Sequence, residues 1–255
     1  PSPFGAKALT LMDVNRLLEG FFGGGDAARQ DNDPARPGPN NPLTGLGGTD
    51  LARGLGNLTG GLGGVAAGGV IGLLLGNRKA RKVAGKAITY GGLAAVAALA
   101  YRAWQNSRNG APGAPASATP PALPPADSGF DPSRIKDSDG ADFRLTLLKA
   151  MIHAANADGH IDAGERAALQ GQIDGANLAA DEKAFLFDQM SRPSDPVALA
   201  RLAADEKQAA EIYLASALAI DPDTAEEQRY LERLGDALRL DTAMRQELDR
   251  QAEAV

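Results

Sequence analysis

The 255-residue sequence contains no cysteine and only two histidines. Without cysteine the chain cannot form disulfides, cysteine-ligated zinc sites or thiol nucleophiles. Any histidine-dependent hydrolytic site would have to use His153 or His160. The chain also lacks a nucleophile elbow, a phosphate-binding loop and a dinucleotide fingerprint. The composition and the motifs therefore indicate no particular enzymatic reaction.

Charge and glycine are distributed unevenly along the chain. Residues 1–138 carry 14 Lys and Arg against 9 Asp and Glu, whereas residues 139–255 carry 12 against 23. Residues 1–110 hold 23 of the 31 glycines. This split predicts an unusual N-terminal half joined to an ordinary C-terminal domain. The acidic C-terminal half is a poor electrostatic match for nucleic acid, so we expect no nucleic-acid partner.

The first segment, residues 4–22, has the pattern of a short amphipathic helix that a run of three glycines ends. Its apolar side chains recur at helical spacing and are Leu11, Val14, Leu17, Leu18, Phe21 and Phe22. The segment lacks the basic start, apolar run and small-residue cleavage site of a secretory signal. Residues 23–57 are rich in Gly, Pro, Asn and Asp and hold few large apolar groups, so we expect them to be disordered.

Residues 58–105 form a Gly-rich segment with long uncharged runs. Residues 60–76 contain 8 glycines, and five glycines recur at every fourth position, namely Gly60, Gly64, Gly68, Gly72 and Gly76. On a helix these five glycines form one bare stripe, which in water costs about 1 kcal/mol per Gly relative to Ala. In a bilayer such a stripe lets two helices approach closely. The pattern predicts a membrane helix that forms homo-oligomers through the stripe, and a flexible linker is the alternative.

A basic cluster separates the two uncharged runs of this segment. It consists of Arg78, Lys79, Arg81, Lys82 and Lys86. The run that follows, residues 87–101, is shorter than the roughly 20 residues that span a bilayer, but interfacial aromatic and basic residues flank it. We therefore expect one or two helices in contact with membrane lipid.

The basic cluster also predicts a topology. Because basic residues favour the cytoplasmic side, residues 139–255 are expected on the opposite side of the membrane. A monotopic arrangement would leave the whole chain cytoplasmic. Residues 106–138 contain six prolines between Pro112 and Pro125, which predicts an extended Pro/Ala linker ahead of the C-terminal domain.

Residues 139–255 show helical periodicity and no convincing period-two alternation, which predicts an all-α domain, a bundle of about seven helices. The first helix is expected to end near Ala157. The other six are expected to run from Asp162 to Gly175, Asp181 to Met190, Asp195 to Ala203, Asp205 to Ile220, Asp223 to Leu238 and Asp241 to Ala254. The Asp195-Pro196 pair is typical of a helix start, with an N-cap carboxylate followed by Pro at the first helical position.

Two segments of this domain resemble each other. Residues 154–165 and 217–226 each contain a helix end, an acidic turn and the start of a capped helix. Packing about a pseudo-twofold axis would bring together the carboxylates of Asp158, Asp162, Glu165, Asp221, Asp223 and Glu226. Ca²⁺ and Mg²⁺ prefer such oxygen clusters. The alternative is that each carboxylate only caps its own helix, since Asp-x-x-Glu is also a capping box.

The motifs of both acidic turns carry a family resemblance. The stretch ADGHIDAGE at residues 157–165, with IDPDTAEEQRYLERLGDALRLD at residues 220–241, resembles the tellurite-resistance TerB-like helical domain. MDVNRLLEGFFGGG, the Gly-rich run, NRKARKVAGKAITYGG and this domain follow an order similar to that of the YebE-like bacterial inner-membrane family of unknown function. The resemblance implies a bacterial inner-membrane location and no enzymatic activity. It also implies divalent-metal binding at Asp158, Asp162, Glu165, Asp221 and Asp223.

Three functions are compatible with these patterns. The first is a non-enzymatic, membrane-anchored protein whose acidic domain binds a divalent cation, a protein partner or both, in envelope or metal stress. The second is a membrane oligomer or scaffold built on the glycine stripe. The third is a metal-dependent hydrolase using His153 or His160, which are too far apart for the i, i+3 or i, i+4 spacing of a helical zinc site. We expect the first, with no catalytic residues.

Overall fold

A computed structural model describes the part of the chain that carries the helical domain. The described residues are 13–22, 93–109, 122–157, 170–171, 173–174, 178–220, 222 and 224–254. Every regular element within these ranges is a helix, and the extended contacts there amount to an isolated bridge between Lys136 and Asp142. The predicted all-α fold class is confirmed.

Eight helices lie wholly within the described ranges. They are α1 (Val14–Phe22), α2 (Leu93–Asn109), α3 (Phe143–Ala155), α4 (Ala180–Ser191), α5 (Pro196–Ala200), α6 (Glu206–Ala219), α7 (Ala225–Ala237) and α8 (Thr242–Glu253). Of the seven helices predicted for the C-terminal domain, six correspond to α3 to α8. The remaining one, predicted from Asp162 to Gly175, falls mostly outside the described residues. Its described residues, 170–171 and 173–174, are helical, and Ile173 is fully buried.

Helix α6 lies at the centre of the domain. All of its residues from 208 to 219 are buried, and α2, α3, α7 and α8 pack around it. Five of these twelve residues are alanines, whose small side chains let the neighbouring helices approach closely. A helix that is covered on every side needs no single apolar stripe, which explains why its sequence shows weak amphipathicity.

Helix α2 packs against α6 and α8 and contributes to the same hydrophobic core. Its buried core residues are Leu93, Val96, Leu99, Ala100 and Ala103. Near its C-terminal end, Asn106 Nδ2 donates to Glu247 Oε1 of α8 at 2.7 Å. The sequence pattern assigned residues 93–105 to a membrane segment, yet in the structure their apolar side chains pack within the helical domain.

None of the helices among the described residues is long and apolar enough to cross a membrane. The predicted glycine stripe of residues 60–76 and the basic cluster of residues 78–86 lie outside the described residues. The membrane prediction for that part of the chain therefore stays a prediction.

Residues 128–136, which we call the strap, cross the core from α2 towards α3. Phe130 of the strap is fully buried, and its ring meets the rings of Tyr101 and Trp104 edge-on, with centroid distances of 5.4 and 5.9 Å. Two side chains of α6 hold the ends of the strap: Lys207 Nζ donates to the Ser128 carbonyl and Gln208 Nε2 to the Lys136 carbonyl, both at 2.7 Å. The predicted linker thus contains a core residue that its proline-rich composition concealed.

Helix α1 has the apolar face that the amphipathic pattern predicted, and this face packs on the same core, which the pattern did not indicate. Leu17 is fully buried, while Val14 and Leu18 are partly buried against the core. A polar contact adds to this packing, since Arg144 Nη1 of α3 donates to Asn15 Oδ1 at 2.6 Å. The N-terminal helix therefore belongs to the helical domain despite the long intervening sequence.

Side-chain caps set most helix starts. Asp195 accepts from the amides of Val197 and Ala198, with Pro196 at the first helical position, as predicted. The predicted cap of α7 at Asp223 is wrong. The N-cap is Thr224, whose hydroxyl accepts from the Glu227 amide while the Glu227 carboxylate accepts from the Thr224 amide. Thr-x-x-Glu supplies a complete capping box one residue later, which satisfies two amides at once.

Helix α7 ends in a left-handed turn at Arg239, whose φ is +57°. The amide of Leu240 donates to the Gly235 carbonyl at 3.1 Å, a pattern that places Arg239 where glycine is usually found. We expect Arg239→Gly to raise the free energy of unfolding by about 0.5–1 kcal/mol, because glycine adopts positive φ without a Cβ penalty. Urea unfolding of both proteins measures this difference. The control Arg239→Ala removes the same side chain but keeps the Cβ, so an equal gain in both variants would contradict the backbone explanation.

Candidate functional site

The predicted site depends on whether the two acidic turns leave the same end of the domain. Helices α3 and α6 pack closely against each other, so two contacts between them give their relative direction. At their beginnings, Gln208 donates to the Lys136 carbonyl and the Ser138 amide to the Leu202 carbonyl at 3.0 Å. Further along, Ser216 Oγ of α6 lies 3.4 Å from the carbonyl oxygen of Ala150 in α3. Both helices therefore point their C-terminal ends towards the same end of the domain.

The end of α3 is held in place by the chain that follows α4. Ser194 Oγ lies 2.5 Å from the His153 carbonyl and 2.8 Å from the Asn156 carbonyl. Asn156 Nδ2 donates to the carbonyl of Arg192 at 3.2 Å. The single hydroxyl proton of Ser194 can bond only one of the His153 and Asn156 carbonyls at a time, and Asn156 bonds the carbonyl at the end of α4. Both helix ends therefore gain a partner for a carbonyl group that they leave unpaired. These bonds fix the last described residue before the first acidic turn, Ala157, which packs partly buried against the core.

The end of α6 is fixed by packing. Ala219 is buried and Ile220 is partly buried against the core, in extended backbone conformation. After it, Gln228 Nε2 of α7 donates to the Pro222 carbonyl at 3.0 Å. The second acidic turn thus leaves the domain from a defined position, as the first one does.

Only one of the six predicted metal ligands falls within the described residues. Glu226 is exposed and accepts a hydrogen bond from the Arg229 side chain. The other five, Asp158, Asp162, Glu165, Asp221 and Asp223, lie outside the described residues. Among the residues that the structure does describe, no group of three or more His, Asp or Glu side chains is arranged to hold a metal ion.

His153 lies in the last turn of α3, just ahead of the first acidic turn. Burial lowers the pKa of its imidazole, and the side chain of Gln189 in α4 is hydrogen-bonded to it. The Nδ1 atom is buried and has no hydrogen-bond partner among the described residues. Burial likewise lowers the pKa of Lys149, one turn earlier. Both groups are shifted towards their neutral forms beside the predicted site.

Glu211 is not among the predicted site residues, yet it has an unusual environment in the structure. Its side chain is fully buried in α6, and burial raises its pKa well above the ordinary value of 4.5. Neither carboxyl oxygen has a hydrogen-bond partner in the described part of the chain. The signal in the sequence is one carboxylate inside the otherwise apolar run from Ala209 to Leu214.

Comparison with known proteins provides a family but no activity. The profile of the family described as "Protein of unknown function (DUF533)" matches residues 60–252. An "Uncharacterized protein in ampR 5'region" from Yersinia enterocolitica is 33% identical over 94 residues, which cover 37% of this chain and 68% of that protein. No solved structure matches. These descriptions name neither a TerB-like domain nor an inner-membrane family.

Proposed function

We propose that this chain, which belongs to the DUF533 family of proteins of unknown function, is a membrane-tethered, non-enzymatic binding protein. Its helical domain holds a Ca²⁺ or Mg²⁺ ion between the two acidic turns that follow α3 and α6. The bound ion then links the turn after α3 to the turn after α6.

The parallel arrangement of α3 and α6 is the observation that supports this proposal. Helix α3 continues five residues beyond Ala150, and α6 continues three residues beyond Ser216. At about 1.5 Å per residue, the two helices end within about 3 Å of the same level. Each is followed by a short segment with two or more carboxylates. Two carboxylate-bearing segments that leave a domain side by side can supply the six to eight oxygens that Ca²⁺ prefers.

The chemistry of the predicted ligands also restricts which metal ions could bind. Cysteine is absent from the chain, and the acidic turns offer chiefly carboxylate and backbone oxygens. Oxygen ligands favour hard cations such as Ca²⁺ and Mg²⁺ over soft metals. The resemblance to TerB-like domains supports the same class of ion. Glu226 would have to leave Arg229 to join the site, so we place it outside the first set of ligands.

The tether rests on the sequence pattern of residues 58–92, which lie outside the described residues. A Gly-rich, uncharged run beside a basic cluster supports an inner-membrane anchor at residues 60–76. Because α2 packs within the helical domain, the basic cluster lies between this anchor and the domain. The preference of basic residues for the cytoplasm therefore favours the cytoplasmic side for the domain, as in the monotopic alternative. Homo-oligomers through the glycine stripe and a protein partner for the acidic domain stay predictions.

Titration of the full-length protein with Ca²⁺, and separately with Mg²⁺, tests the proposal. We expect binding heat in calorimetry and a higher melting temperature, both abolished by a chelator. An ion present at 100 times its Kd raises the free energy of unfolding by about 2.7 kcal/mol, because it binds only the folded state. Absence of both heat and thermal stabilisation would refute metal binding.

Paired substitutions test whether the two turns share one ion. Asp158→Asn and Asp221→Asn, made singly, are each expected to weaken binding, because each removes a charged ligand from the same site. The matched control combines Asp127→Asn with Glu232→Gln, two exposed carboxylates of the described domain, and should bind as the wild type does. If only one of the two turns matters, the shared site is wrong even though an ion binds.

A further inference from the structure

Glu211 differs from most buried carboxylates in the polar contacts that it makes. It lies in the central helix α6 with no exposed surface, and neither Oε atom is hydrogen-bonded within the described part of the chain. Buried carboxylates in folded proteins are almost always paired or hydrogen-bonded. An unpaired one is costly when ionised, so its surroundings are stable only while it stays uncharged.

The position of Glu211 shows which elements cover it. It lies three and four residues after Gln208 and Lys207, so the three side chains share one face of α6. Gln208 and Lys207 bind the two ends of the strap, and Lys207 Nζ lies 5.6 Å from the ring centroid of Trp104 in α2. The face of α6 that carries Glu211 therefore lies under the strap and α2.

The electrostatic surroundings oppose ionisation. Burial is the main cause of the raised pKa of Glu211, and the negative charges of Asp205 and Asp131 add to it. Asp131 belongs to the strap itself, so ionised Glu211 repels the element that covers it. No cation in the described ranges forms an ion pair with Glu211.

The other charged groups on the elements around α6 are mostly engaged elsewhere or exposed. Lys207 binds the strap, Arg108 of α2 pairs with Glu206, Arg144 of α3 with Asp142, Glu247 of α8 with Arg250, and Asp249 of α8 accepts from Tyr213. The remaining acidic and basic side chains of α2, the strap and α3 are Arg102, Arg134, Lys136, Lys149 and His153. On α8 they are Arg245, which pairs with Asp236, and the exposed Glu253. On α7 they are Glu226, Glu227 and the exposed residues Arg229, Glu232, Arg233 and Asp236.

We propose that Glu211 makes the docking of α2 and the strap onto α6 dependent on pH. With an uncharged Glu211 the two elements stay docked, and loss of the carboxyl proton releases them. The docked form holds the proton more tightly than the released form. Docking is therefore strongest at low pH, weakens as the pH rises above about 4.5, and stops weakening above the pKa of the docked form.

The interface of α2 and the strap with α6 buries several polar atoms that have no hydrogen-bond partner among the described residues. Besides the two oxygens of Glu211, they include Nε1 of Trp104 in α2. Unsatisfied polar atoms lower the stability of the interface that buries them. Because α2 follows the Gly-rich segment in the chain, its release would lengthen the connection between that segment and the rest of the domain.

Hydrogen exchange of the full-length protein across roughly pH 5 to 8 tests this proposal. The amides of α2 and the strap are compared with those of α7, after the intrinsic pH dependence of exchange is divided out. If one proton controls the opening, protection of α2 and the strap falls about tenfold per pH unit within the titration window, while α7 is unaffected. Trp104 is the only tryptophan, so its fluorescence should shift to the red over the same range.

Two variants identify the group responsible. Glu211→Gln and Glu211→Met cannot ionise, so protection and fluorescence are expected to be independent of pH in whichever of them folds. Glu182→Gln is the matched control, because Glu182 is equally buried but accepts from the Ala179 amide at 2.7 Å, and it should behave as the wild type does. Constant protection in the wild type, an unchanged pH response in the Glu211 variants, or simultaneous loss of protection in α7 would each overturn the proposal.

Discussion

Replacing Phe130 with alanine is expected to lower the free energy of unfolding by about 3–5 kcal/mol, the usual cost of removing a fully buried aromatic side chain. Phe130 has no exposed surface and contacts the rings of Tyr101 and Trp104. Its removal leaves a cavity between α2, α6 and the strap that none of these elements can fill without moving. Urea unfolding followed by circular dichroism at the helical band measures the loss.

The matched control for this substitution is Leu123→Ala in the same proline-rich part of the chain. Leu123 is 73% exposed, so its removal should change stability by less than about 0.5 kcal/mol. A loss for Phe130→Ala no larger than that for Leu123→Ala would mean that residues 122–138 are a passive linker. The contrast between the two variants therefore decides whether the strap belongs to the domain.

The second large effect is expected at Asp137, where the strap joins α3. Its carboxylate is 5% exposed and accepts three hydrogen bonds, from the amides of Asp139 and Ala141 and from the hydroxyl of Thr146, at 3.0, 2.8 and 2.7 Å. Asp137→Ala leaves three donors without an acceptor, one of them on the fully buried Thr146. We expect a loss of about 3 kcal/mol in the free energy of unfolding.

Two further substitutions test whether the Asp137 carboxylate itself causes this loss of stability. Asp139→Ala changes an exposed acid two residues away and should have little effect on stability. In Thr146→Val the hydroxyl is absent, so adding Asp137→Ala should then cost less than it does in the wild type. A double-mutant cycle gives the coupling between the two side chains. Additive losses would show that the Asp137–Thr146 hydrogen bond does not contribute to stability.

Most of the helices of the domain could be predicted from local patterns. Apolar spacing and N-cap residues depend on neighbours within one or two turns, so they are visible in the sequence. Asp195-Pro196 and Asp241 therefore marked real helix starts. The start of α7 was misplaced by one residue because two overlapping capping motifs, from Asp223 and from Thr224, compete there, and only the backbone conformation distinguishes them.

The candidate site was only partly predictable. The sequence shows two acidic turns after similar helices, but it does not show whether these helices run side by side in the same direction. The contact between Gln208 and Lys136 near the two helix starts, together with the contact between Ser216 and Ala150 further along, answers that question for α3 and α6. The buried Glu211 was overlooked because a single acid in an apolar run is ordinarily placed on the solvent side of its helix.

Short-range patterns in the chain were sufficient for the helical class and most helix boundaries, because hydrogen bonds and caps within a helix involve residues close in sequence. Long-range packing alone determined that α2 and Phe130 enter the core, that α3 and α6 end together, and that Glu211 is covered on all sides. The first half of α2, residues 93–101, is uncharged and rich in alanine, and such a segment has the same composition whether it contacts lipid or other helices. Its environment depends on apolar surfaces contributed by residues more than a hundred positions away, such as Leu248 of α8.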